Sequence, residues 1–336
     1  MRKIRGEMTT VSSFREITLG ECVDRLLEIK RPLVLMHVRP DGDTVGCCAA
    51  LIEVYRQLGV AAKYACSDKI PDRLAFLLEG CEMADESEYR LLTPVSVDVP
   101  SPMQLGKIID KLPKIELMID HHEVSVPFAD IYTVRGMSSG GEVMLGLVKE
   151  LCERGLISLT PRLASSLYAA ICSDTGQFAY SCATSTTYRA AAELIDAGAD
   201  FVSINHRLFM QKSEKLLRAE GVILGRLLTS ADGRLSYSYI SKRERDSLGL
   251  MMEHFETSID LVRAVKGAEI SFIVKETDEG EFKGSLRSVE VDVTPLAVEF
   301  SGGGHTHAAG CTVAADSCEQ AAEILRLAIE KRYFGS

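Results

Sequence analysis

The chain of 336 residues has no tryptophan, no C-x-x-C pair among its ten cysteines and no excess of basic residues. The missing tryptophan excludes no function. None of the apolar runs approaches the roughly 20 residues needed to cross a bilayer, so we expect no membrane span. Lys and Arg total 38 against 48 Asp and Glu, a net charge of −10. Because binding along a long duplex requires many cations, we expect no long duplex nucleic acid as a partner.

Cysteine usage indicates a reducing compartment. The cysteines lie mostly among apolar residues, in a chain long enough to bury a core without disulfides, which is typical of reduced thiols in an intracellular protein. Residues 1–7 are basic but lead into a Thr/Ser-rich stretch and not into an apolar segment. The sequence therefore predicts no secretory signal and a cytoplasmic location.

Apolar runs alternate with helical patterns in the first half of the chain, which predicts βαβ units and a mostly parallel sheet flanked by helices. Strands are predicted at residues 33–38, 61–66, 95–98 and 115–119, and helices at 18–30, 44–58, 138–153 and from 160 onward. The second half has strand patterns at 235–240, 269–275 and 282–287 and a terminal helix at 318–333. The expected fold class is therefore α/β with two domains, at residues 15–205 and 230–336, joined by a connecting helix at 206–229 and separated by a cleft.

Acidic residues and histidines gather at four points, each directly after a predicted buried segment that resembles a strand. The clusters are His37 with Asp41 and Asp43, then Asp98, then Asp120 with His121 and His122, and finally Asp174. Ligand sites in open α/β sheets lie beyond the carboxyl ends of the strands, so we expect the four clusters to meet at one rim. Asp41 and Asp43, separated by Gly42, could point at two ions from one tight turn.

Such crowding requires positive charge. The four aspartates outside the Asp120 triplet would carry −4 in a partly dry cleft, which is tolerated only with compensation. Two divalent cations supply it. Carboxylate and imidazole donors without thiolate suit Mn²⁺, and Mg²⁺ less well.

Two weaker features of the second domain indicate phosphate binding. A guanidinium at the end of a strand can hold a phosphate through two hydrogen bonds, and consecutive glycines permit close approach of the backbone to a phosphate. A glycine run is more often a simple turn, and a single arginine is usually a surface charge. The residues concerned are Arg287, Ser288, Gly302, Gly303, Gly304 and His305.

These motifs together resemble the DHH–DHHA1 phosphoesterase superfamily. Asp120-His121-His122 is the triplet that gives the family its name, H-x-x-P-D-G-D-x-x-G stands at residues 37–46, and Asp-Thr-Gly follows at 174–176. The glycine-rich stretch at 302–305 matches the DHHA1 signature. The resemblance covers residues 15–333, and the compact two-domain length is most similar to NrnA-type enzymes, which degrade very short RNA and remove the 3′-phosphate of 3′-phosphoadenosine 5′-phosphate (pAp).

The resemblance implies roles for the site residues. The first metal ion would be bound by His37 and Asp41, the second by Asp43, His121 and Asp174, and both by a bridging Asp98. The two ions are expected to be Mn²⁺, with Mg²⁺ or Co²⁺ as alternatives. Catalytic roles are expected for Asp98, Asp120, His121 and His122, where Asp120 orients the site and His122 supports ligands or reaches the scissile phosphate. Substrate phosphate would be held by Arg287, Ser288, Gly302, Gly303, Gly304 and His305.

The implied function is two-metal hydrolysis of short oligoribonucleotides to 5′-mononucleotides and of pAp to AMP. The expected partners are thus short RNA, pAp or dinucleotides, and a homodimer is left open. One departure from the family concerns residues 138–142, where two glycines stand in place of Ser, Thr or Ala near the cleft, so substrate preference is open there. The alternatives are a phosphodiesterase for cyclic di-AMP or linear pApA, an inorganic pyrophosphatase or polyphosphatase, and a non-enzymatic nucleotide sensor.

Overall fold

The computed structural model of the protein describes residues 15–133, 136–255 and 257–335. Residues 1–7, for which the sequence predicts no secretory signal, lie outside the described residues. The backbone of His305 is described but its side chain is not. None of the described helices combines the length and apolar content needed to cross a membrane.

The chain divides into two compact units, with the boundary between Gln211 and Lys212. In the first unit, the described residues form one parallel sheet. Its strands are β1 (Pro32–Leu35), β2 (Lys63–Ala65), β3 (Glu82–Met83), β4 (Thr93–Val97), β5 (Leu117–Asp120) and β6 (Asp130–Thr133). Their order is β3-β2-β1-β4-β5-β6, and every neighbouring pair is parallel. Strand order therefore reverses between β1 and β4, the point at which open α/β sheets bind ligands.

Helices pack around this sheet, and capping side chains mark where several of them begin. They are α1 (Leu19–Glu28), α2 (Gly42–Gln57), α3 (Gly140–Glu153), α4 (Pro161–Asp174), α5 (Ser185–Asp196) and α6 (Phe201–Asn205), with 3₁₀ segments Ala75–Leu78, Glu86–Leu91 and Pro102–Lys111 and a π-helical turn His206–Met210. Thr18 and Glu21 form a capping box at α1, and Thr160 caps α4 ahead of Pro161. Both starts confirm the sequence prediction.

The contact between α2 and α4 determines where their ends lie. α2 is buried from Gly42 to Tyr55. A β-carbon at Gly46 would lie only 2.7 Å from the carbonyl oxygen of Ser166, and one at Gly42 would collide with the side chain of Ser173. Glycine thus lets the two backbones approach closely. The start of α2 lies beside the end of α4 as a result.

The second unit contains a mixed sheet within the described residues. Its strands are β7 (Leu228–Thr229), β8 (Leu235–Ile240), β9 (Ile270–Glu276), β10 (Phe282–Ser288), β11 (Gly303–His305) and β12 (Ala308–Val313), in the order β11-β12-β10-β9-β8-β7. β8 and β9 are parallel, and the other neighbours are antiparallel. The helices are α7 (Glu214–Gly225), α8 (Lys242–Ser247), α9 (Ile259–Arg263), α10 (Thr294–Glu299) and α11 (Cys318–Ile329), with a 3₁₀ segment Met252–Phe255 and a π-helical turn Glu330–Phe334.

Both faces of this second sheet are covered, as the alternation along β9 shows. Phe272 packs in one apolar cluster with Leu325 of α11, whereas the next residue, Ile273, packs in another with Ile223 of α7 and Val262 of α9. Successive side chains of a strand point to opposite faces, so one strand serves both clusters. The predicted α/β class is confirmed in both units.

Short elements depart from the predicted pattern. The edge strands β3 and β6 were not predicted, because two to four residues give too little alternation to recognise. The three glycines at 302–304 follow the end of α10, as predicted, but two of them also form strand β11, which pairs with β12 and was not predicted. The segment predicted as a connecting helix at 206–229 consists of the π-helical turn, α7 and β7, with Ser213 capping α7. The predicted domain limits at 15–205 and 230–336 stay predictions.

Candidate metal centre

Three strand ends and one helix start deliver side chains to the carboxyl edge of the parallel sheet. His37 lies two residues after β1, Asp98 directly follows β4, and Asp120 is the last residue of β5. Asp41 and Asp43 lie in the first turn of α2 and not in a tight turn: Asp41 is its N-cap, and its Oδ1 accepts the N–H of Asp43 at 2.9 Å. Aspartate is a preferred N-cap because its side chain accepts the N–H groups two and three residues further on, here those of Asp43 and Thr44, so the helix begins earlier than predicted.

Asp174 reaches this edge from a helix. The apolar run before it resembles a strand in the sequence, but Asp174 is the last residue of α4. A buried helix and a buried strand both give a continuous apolar run, so that run alone does not distinguish them. Because α4 lies against α2, its end nevertheless arrives beside Asp41 and Asp43.

The carboxylate of Asp98 is the centre of the arrangement. Its Oδ2 lies 3.6 Å from Nε2 of His37, and the same nitrogen lies 3.7 Å from Oδ1 of Asp41. Its Oδ1 lies 3.4 Å from Nε2 of His121. The two oxygens of one buried carboxylate therefore face two different histidines.

A second group of atoms gathers around His121. Its Nε2 lies 3.8 Å from Oδ2 of Asp43 and 3.5 Å from Oδ2 of Asp174. Among the described residues, three groups bring ligand atoms close enough to hold a metal ion. These groups are His37–Asp41–Asp98, Asp43–His121–Asp174 and Asp98–His121–His122. Atoms that share an ion at bond lengths of about 2.1 Å stand about 3–3.5 Å apart, close to the separations found here.

Hydrogen bonds at the other ring nitrogen orient both histidines. Nδ1 of His37 lies 2.8 Å from the carbonyl oxygen of Val38, and Nδ1 of His121 lies 3.4 Å from that of Met137. A ring that donates its Nδ1 proton to a carbonyl carries its lone pair on Nε2 when neutral. In both rings, Nε2 is the nitrogen that faces the carboxylates, as a metal ligand requires.

The titration of these groups reflects an excess of negative charge. Burial alone would lower the pKa of His37, but the carboxylates of Asp41 and Asp98 outweigh burial and raise it to about 11. The pKa of His121 is raised to about 10, because Asp98 and Asp43 likewise outweigh burial. Both imidazoles would therefore hold protons as counter-charge, and bound cations would supply the same charge in their place.

The aspartates titrate very differently from one another. Burial and the charge of Asp98 raise the pKa of Asp43 well above its usual range, and they raise that of Asp174 to about 6. For Asp98, burial is outweighed by His121 and His37, which lower its pKa to about 2. Groups of one chemical type with such divergent pKa values mark a functional site more often than a structural one.

Backbone strain fixes Asp98 in place. Its φ of 56° is left-handed, a conformation that costs a non-glycine residue of order 1–3 kcal/mol. The N–H of Asp98 donates to the carbonyl of Ile119 at 2.8 Å, tying the strained turn to β5. Oδ1 of Asp98 is buried without a hydrogen-bond partner among the described residues. An unpaired buried carboxylate oxygen is costly, and a cation would satisfy it.

Asp43 receives a clamp that the sequence did not reveal. The N–H groups of Gly140 and Gly141 donate to its two oxygens at 2.7 and 2.9 Å, and Sγ of Cys47 lies 3.3 Å from Oδ1. A β-carbon at Gly140 would stand 3.4 Å from the β-carbon of Asp98. It would also stand 3.3 Å from Sγ of Cys47, a tighter contact than most, so glycine at position 140 eases the approach of α3 to the site. In the sequence, the one sign of this contact is the Ser-Ser-Gly-Gly run at a predicted helix start.

We expect Gly141→Ala to lower the free energy of unfolding by about 1–3 kcal/mol, because overpacking a tight contact is destabilising. Its new methyl group would lie 2.7 Å from the β-carbon of Ala170 and 3.0 Å from the backbone nitrogen of Ile171. Gly146→Ala on the same helix is the matched control, since a β-carbon there meets nothing within 4 Å, and it should stabilise by about 0.5–1 kcal/mol. Urea titration of both variants checks the pair, and equal stability changes would contradict this packing.

His122 lies beside the ligand groups and is held by Asp120. Its Nδ1 lies 2.8 Å from Oδ1 of the fully buried Asp120 and 3.7 Å from Oδ1 of Asp98. Burial lowers the pKa of His122, but Asp120 outweighs burial and raises it. The side chain is 39% exposed. The ring is therefore oriented from the buried side while part of it remains accessible to a ligand.

The predicted phosphate-binding residues lie in the second unit, at the end of β10, on β11 and, for Gly302, directly before β11. The guanidinium of Arg287 donates to the carbonyl of Leu286 at 2.9 Å. The hydroxyl of Ser288 donates to the carbonyl of Val291 and lies 3.2 Å from Nδ1 of His307. Their role toward a substrate stays a prediction.

Two of the three consecutive glycines have a packing role. A β-carbon at Gly302 would collide with the carbonyl of Gly310, and one at Gly304 would lie 2.5 Å from the carbonyl oxygen of Ala308. Pairing of β11 with β12 therefore requires glycine at both positions. A β-carbon at Gly303 meets nothing within 4 Å. The substrate role predicted for this stretch, His305 included, stays a prediction.

Comparison with known families agrees with the fold of both units. Residues 31–171 match the model of the DHH family, N-terminal domain, and residues 233–331 match that of the DHHA1 domain. Together the two matches span most of the chain. The protein belongs to the DHH–DHHA1 phosphoesterases and is a hydrolase.

Curated relatives resemble the chain over most of its length. It is 27% identical over 296 residues to a bifunctional oligoribonuclease and PAP phosphatase NrnA from Thermus thermophilus, covering 86% of each chain. It is 26% identical over 281 residues to a protein of the same name from Bacillus subtilis, covering 82% of this chain and 87% of the relative. A crystal structure of an exopolyphosphatase-related protein from Bacteroides fragilis has the same fold, with a TM-score of 0.83 and 23% identity over 93% of this chain and 95% of the other.

Proposed function

We propose that the protein uses two divalent cations, with Mn²⁺ preferred, to hydrolyse short oligoribonucleotides to 5′-mononucleotides and pAp to AMP. One observation carries the two-ion proposal: Oδ2 of Asp98 faces His37 at 3.6 Å while Oδ1 faces His121 at 3.4 Å. The substrate class is supported by the relatives named as oligoribonuclease and PAP phosphatase. The net charge of −10 favours short substrates over long duplexes.

The donor atoms fit two hard cations. The first would be held by His37, Asp41 and Oδ2 of Asp98, and the second by Asp43, His121, Asp174 and Oδ1 of Asp98. No thiolate takes part, and oxygen-rich sets with imidazole favour Mn²⁺ or Mg²⁺ over softer ions. When bound, such cations supply a water of lowered pKa and neutralise charge on the phosphate oxygens.

The chain's own residues would provide preorganisation. Asp98 is fixed by its strained backbone, and Asp43 is held by the N–H groups of Gly140 and Gly141. Groups already held in the geometry of the transition state need no reorganisation during reaction. The substrate phosphate would therefore meet a site whose charges are already in position.

His122 would supply the proton that the leaving oxygen takes up. With Nδ1 committed to Asp120 at 2.8 Å, the remaining ring nitrogen, Nε2, can donate to the oxygen that leaves phosphorus. The raised pKa of His122 favours the protonated ring that such a donor needs. Asp120 acts as a positioning residue, because it holds the ring and stabilises its charge.

The proposed function is tested by a substrate panel with purified protein in Mn²⁺ and in Mg²⁺. It should contain pAp, oligoribonucleotides of two to five nucleotides, linear pApA, cyclic di-AMP and inorganic pyrophosphate. We expect turnover of pAp and the short oligoribonucleotides, faster in Mn²⁺, with 5′-mononucleotides as products. Hydrolysis confined to the cyclic dinucleotide or to pyrophosphate would contradict the proposal.

Arg287→Ala should raise KM for pAp by about 10-fold or more with a smaller effect on kcat. The reason is that a charge-assisted hydrogen bond to phosphate contributes about 1.5–3 kcal/mol. Arg263→Ala is the control, since this exposed arginine of α9 pairs with Asp260 and has no assigned role. Steady-state kinetics and thermal unfolding should be measured together. A lower Tm with unchanged KM would make Arg287 structural.

A further inference from the structure

The chain that follows Asp174 folds back on the end of α4 through a strained turn. Gly176, Gln177 and Phe178 have successive φ values of 54°, 59° and 64°. Two adjacent non-glycine residues in the left-handed region are rare, and such strain persists only where surrounding contacts over-determine it. Strain of this kind clusters at ligand-binding segments.

Hydrogen bonds lock this turn onto α4. The N–H of Gln177 donates to the carbonyl of Cys172 at 2.8 Å, and the N–H of Phe178 donates to Oγ1 of Thr175 at 3.2 Å. The N–H of Tyr180 donates to the carbonyl of Thr175 at 3.1 Å. The position of Tyr180 is therefore fixed relative to the end of α4.

The two aromatic residues of this segment, Phe178 and Tyr180, differ in what they contact. Phe178 packs against the apolar core, and its carbonyl accepts the hydroxyl of Tyr188 at 3.1 Å. Tyr180 instead lies over Gly176: a β-carbon there would stand 2.5 Å from each Cε of the ring and closer still to Cζ. Nearly equal distances to three ring atoms place the glycine over the ring face and not beyond its edge. Tyr180 is 47% exposed, so this face-on support leaves much of the ring accessible.

This ring stands close to the candidate metal centre. Gly176 is two residues after Asp174, so their α-carbons are at most about 7.6 Å apart. Farther along, Sγ of Cys182 lies 4.0 Å from the carbonyl oxygen of Asp174, so the segment returns to its starting point. The Tyr180 ring therefore covers a residue two positions after a candidate metal ligand, in a segment that turns back toward that ligand.

From this geometry we infer that Tyr180 is a stacking surface for the nucleobase of the nucleotide whose phosphate is bound at the Asp/His site. The inference rests on the proposed function and adds a specificity-determining residue to it. Aromatic stacking accepts every base, because each base has a π-face, and it strengthens binding by roughly 10-fold to 100-fold. A site that stacks the base without reading its edge would select nucleotides over other phosphate esters and remain indifferent to sequence.

The test compares binding of AMP and of ribose 5-phosphate, which lacks the base, by calorimetry in the presence of Mn²⁺. The wild-type protein should bind AMP at least about 10-fold more tightly. Tyr180→Leu should reduce this preference to about 2-fold or less by weakening AMP alone, whereas Tyr180→Phe should keep it. Tyr188→Leu, which removes another half-exposed aromatic side chain of this region, is the matched control and should keep the preference.

The inference is overturned if Tyr180→Leu retains the full preference for AMP, or if it weakens AMP and ribose 5-phosphate equally. A change in solution size with an unchanged preference would overturn it too, because Tyr180 would then contact another protein surface. Binding of AMP requires no turnover. A protein that binds AMP through Tyr180 but hydrolyses none of the panel would contradict the proposed function and leave the stacking surface intact.

Discussion

Asp98→Asn should reduce kcat/KM by at least about 1000-fold while the protein stays folded. The substitution removes the charge of a carboxylate whose two oxygens face His37 and His121, and electrostatic groups of this kind carry most of the catalysis in phosphoryl transfer. Asparagine adopts left-handed backbone about as readily as aspartate, so the substitution adds no strain beyond that already present at the φ of 56°. Alanine would confound the loss of charge with backbone strain.

The measurement combines kinetics on pAp, circular dichroism, and a count of bound Mn²⁺ per chain. The count should fall below two in Asp98→Asn. Ser96→Ala is the matched control: Ser96 lies on β4 two residues before Asp98, is fully buried, and its hydroxyl has no hydrogen-bond partner among the described residues. Near wild-type turnover in Asp98→Asn would show that Asp98 does not bridge two ions.

His122→Asn should lower kcat by about 100-fold to 10,000-fold, the range expected for loss of a general acid. An asparagine amide can keep the hydrogen bond to Asp120 that Nδ1 makes at 2.8 Å, while Nε2 is removed. KM and the number of bound Mn²⁺ ions should therefore stay close to wild type. Steady-state kinetics and metal counting separate this role from a loss of metal binding.

The control compares the losses of kcat in single and double variants of Asp120 and His122. If Asp120 acts only by positioning His122, Asp120→Asn should lower kcat less than His122→Asn does, and the double variant should lose no more than His122→Asn alone. Fully additive losses would assign Asp120 a separate function. Unchanged kcat in His122→Asn would remove His122 from the reaction.

The convergence of the site could be predicted because it follows from sheet topology. Once β1, β4 and β5 are parallel, His37, Asp98 and Asp120 must reach the same edge, and five aspartates with three histidines there imply a cation site. The capping residues Thr18 and Thr160 were also evident, since a helix start depends on neighbouring residues alone. Local patterns and the direction of strands therefore determine most of this site.

What could not be predicted depends on contacts between distant segments. Asp174 was expected after a strand because its apolar run carries no sign of how it is buried, although the cap at Thr160 indicates that a helix begins 14 residues before it. The clamp on Asp43 joins it to Gly140 and Gly141, nearly 100 residues away. Likewise, Gly302 and Gly304 are explained by their distance to β12. Such contacts follow from the folded chain and leave only faint local signals.

Anomalous diffraction from crystals grown with Mn²⁺ tests the central proposal most directly. We predict two manganese peaks per chain, one between His37 and Asp41 and the other among Asp43, His121 and Asp174, with Asp98 contacting both. A single peak, or none, in crystals of a preparation that hydrolyses pAp in Mn²⁺ would contradict the two-ion site.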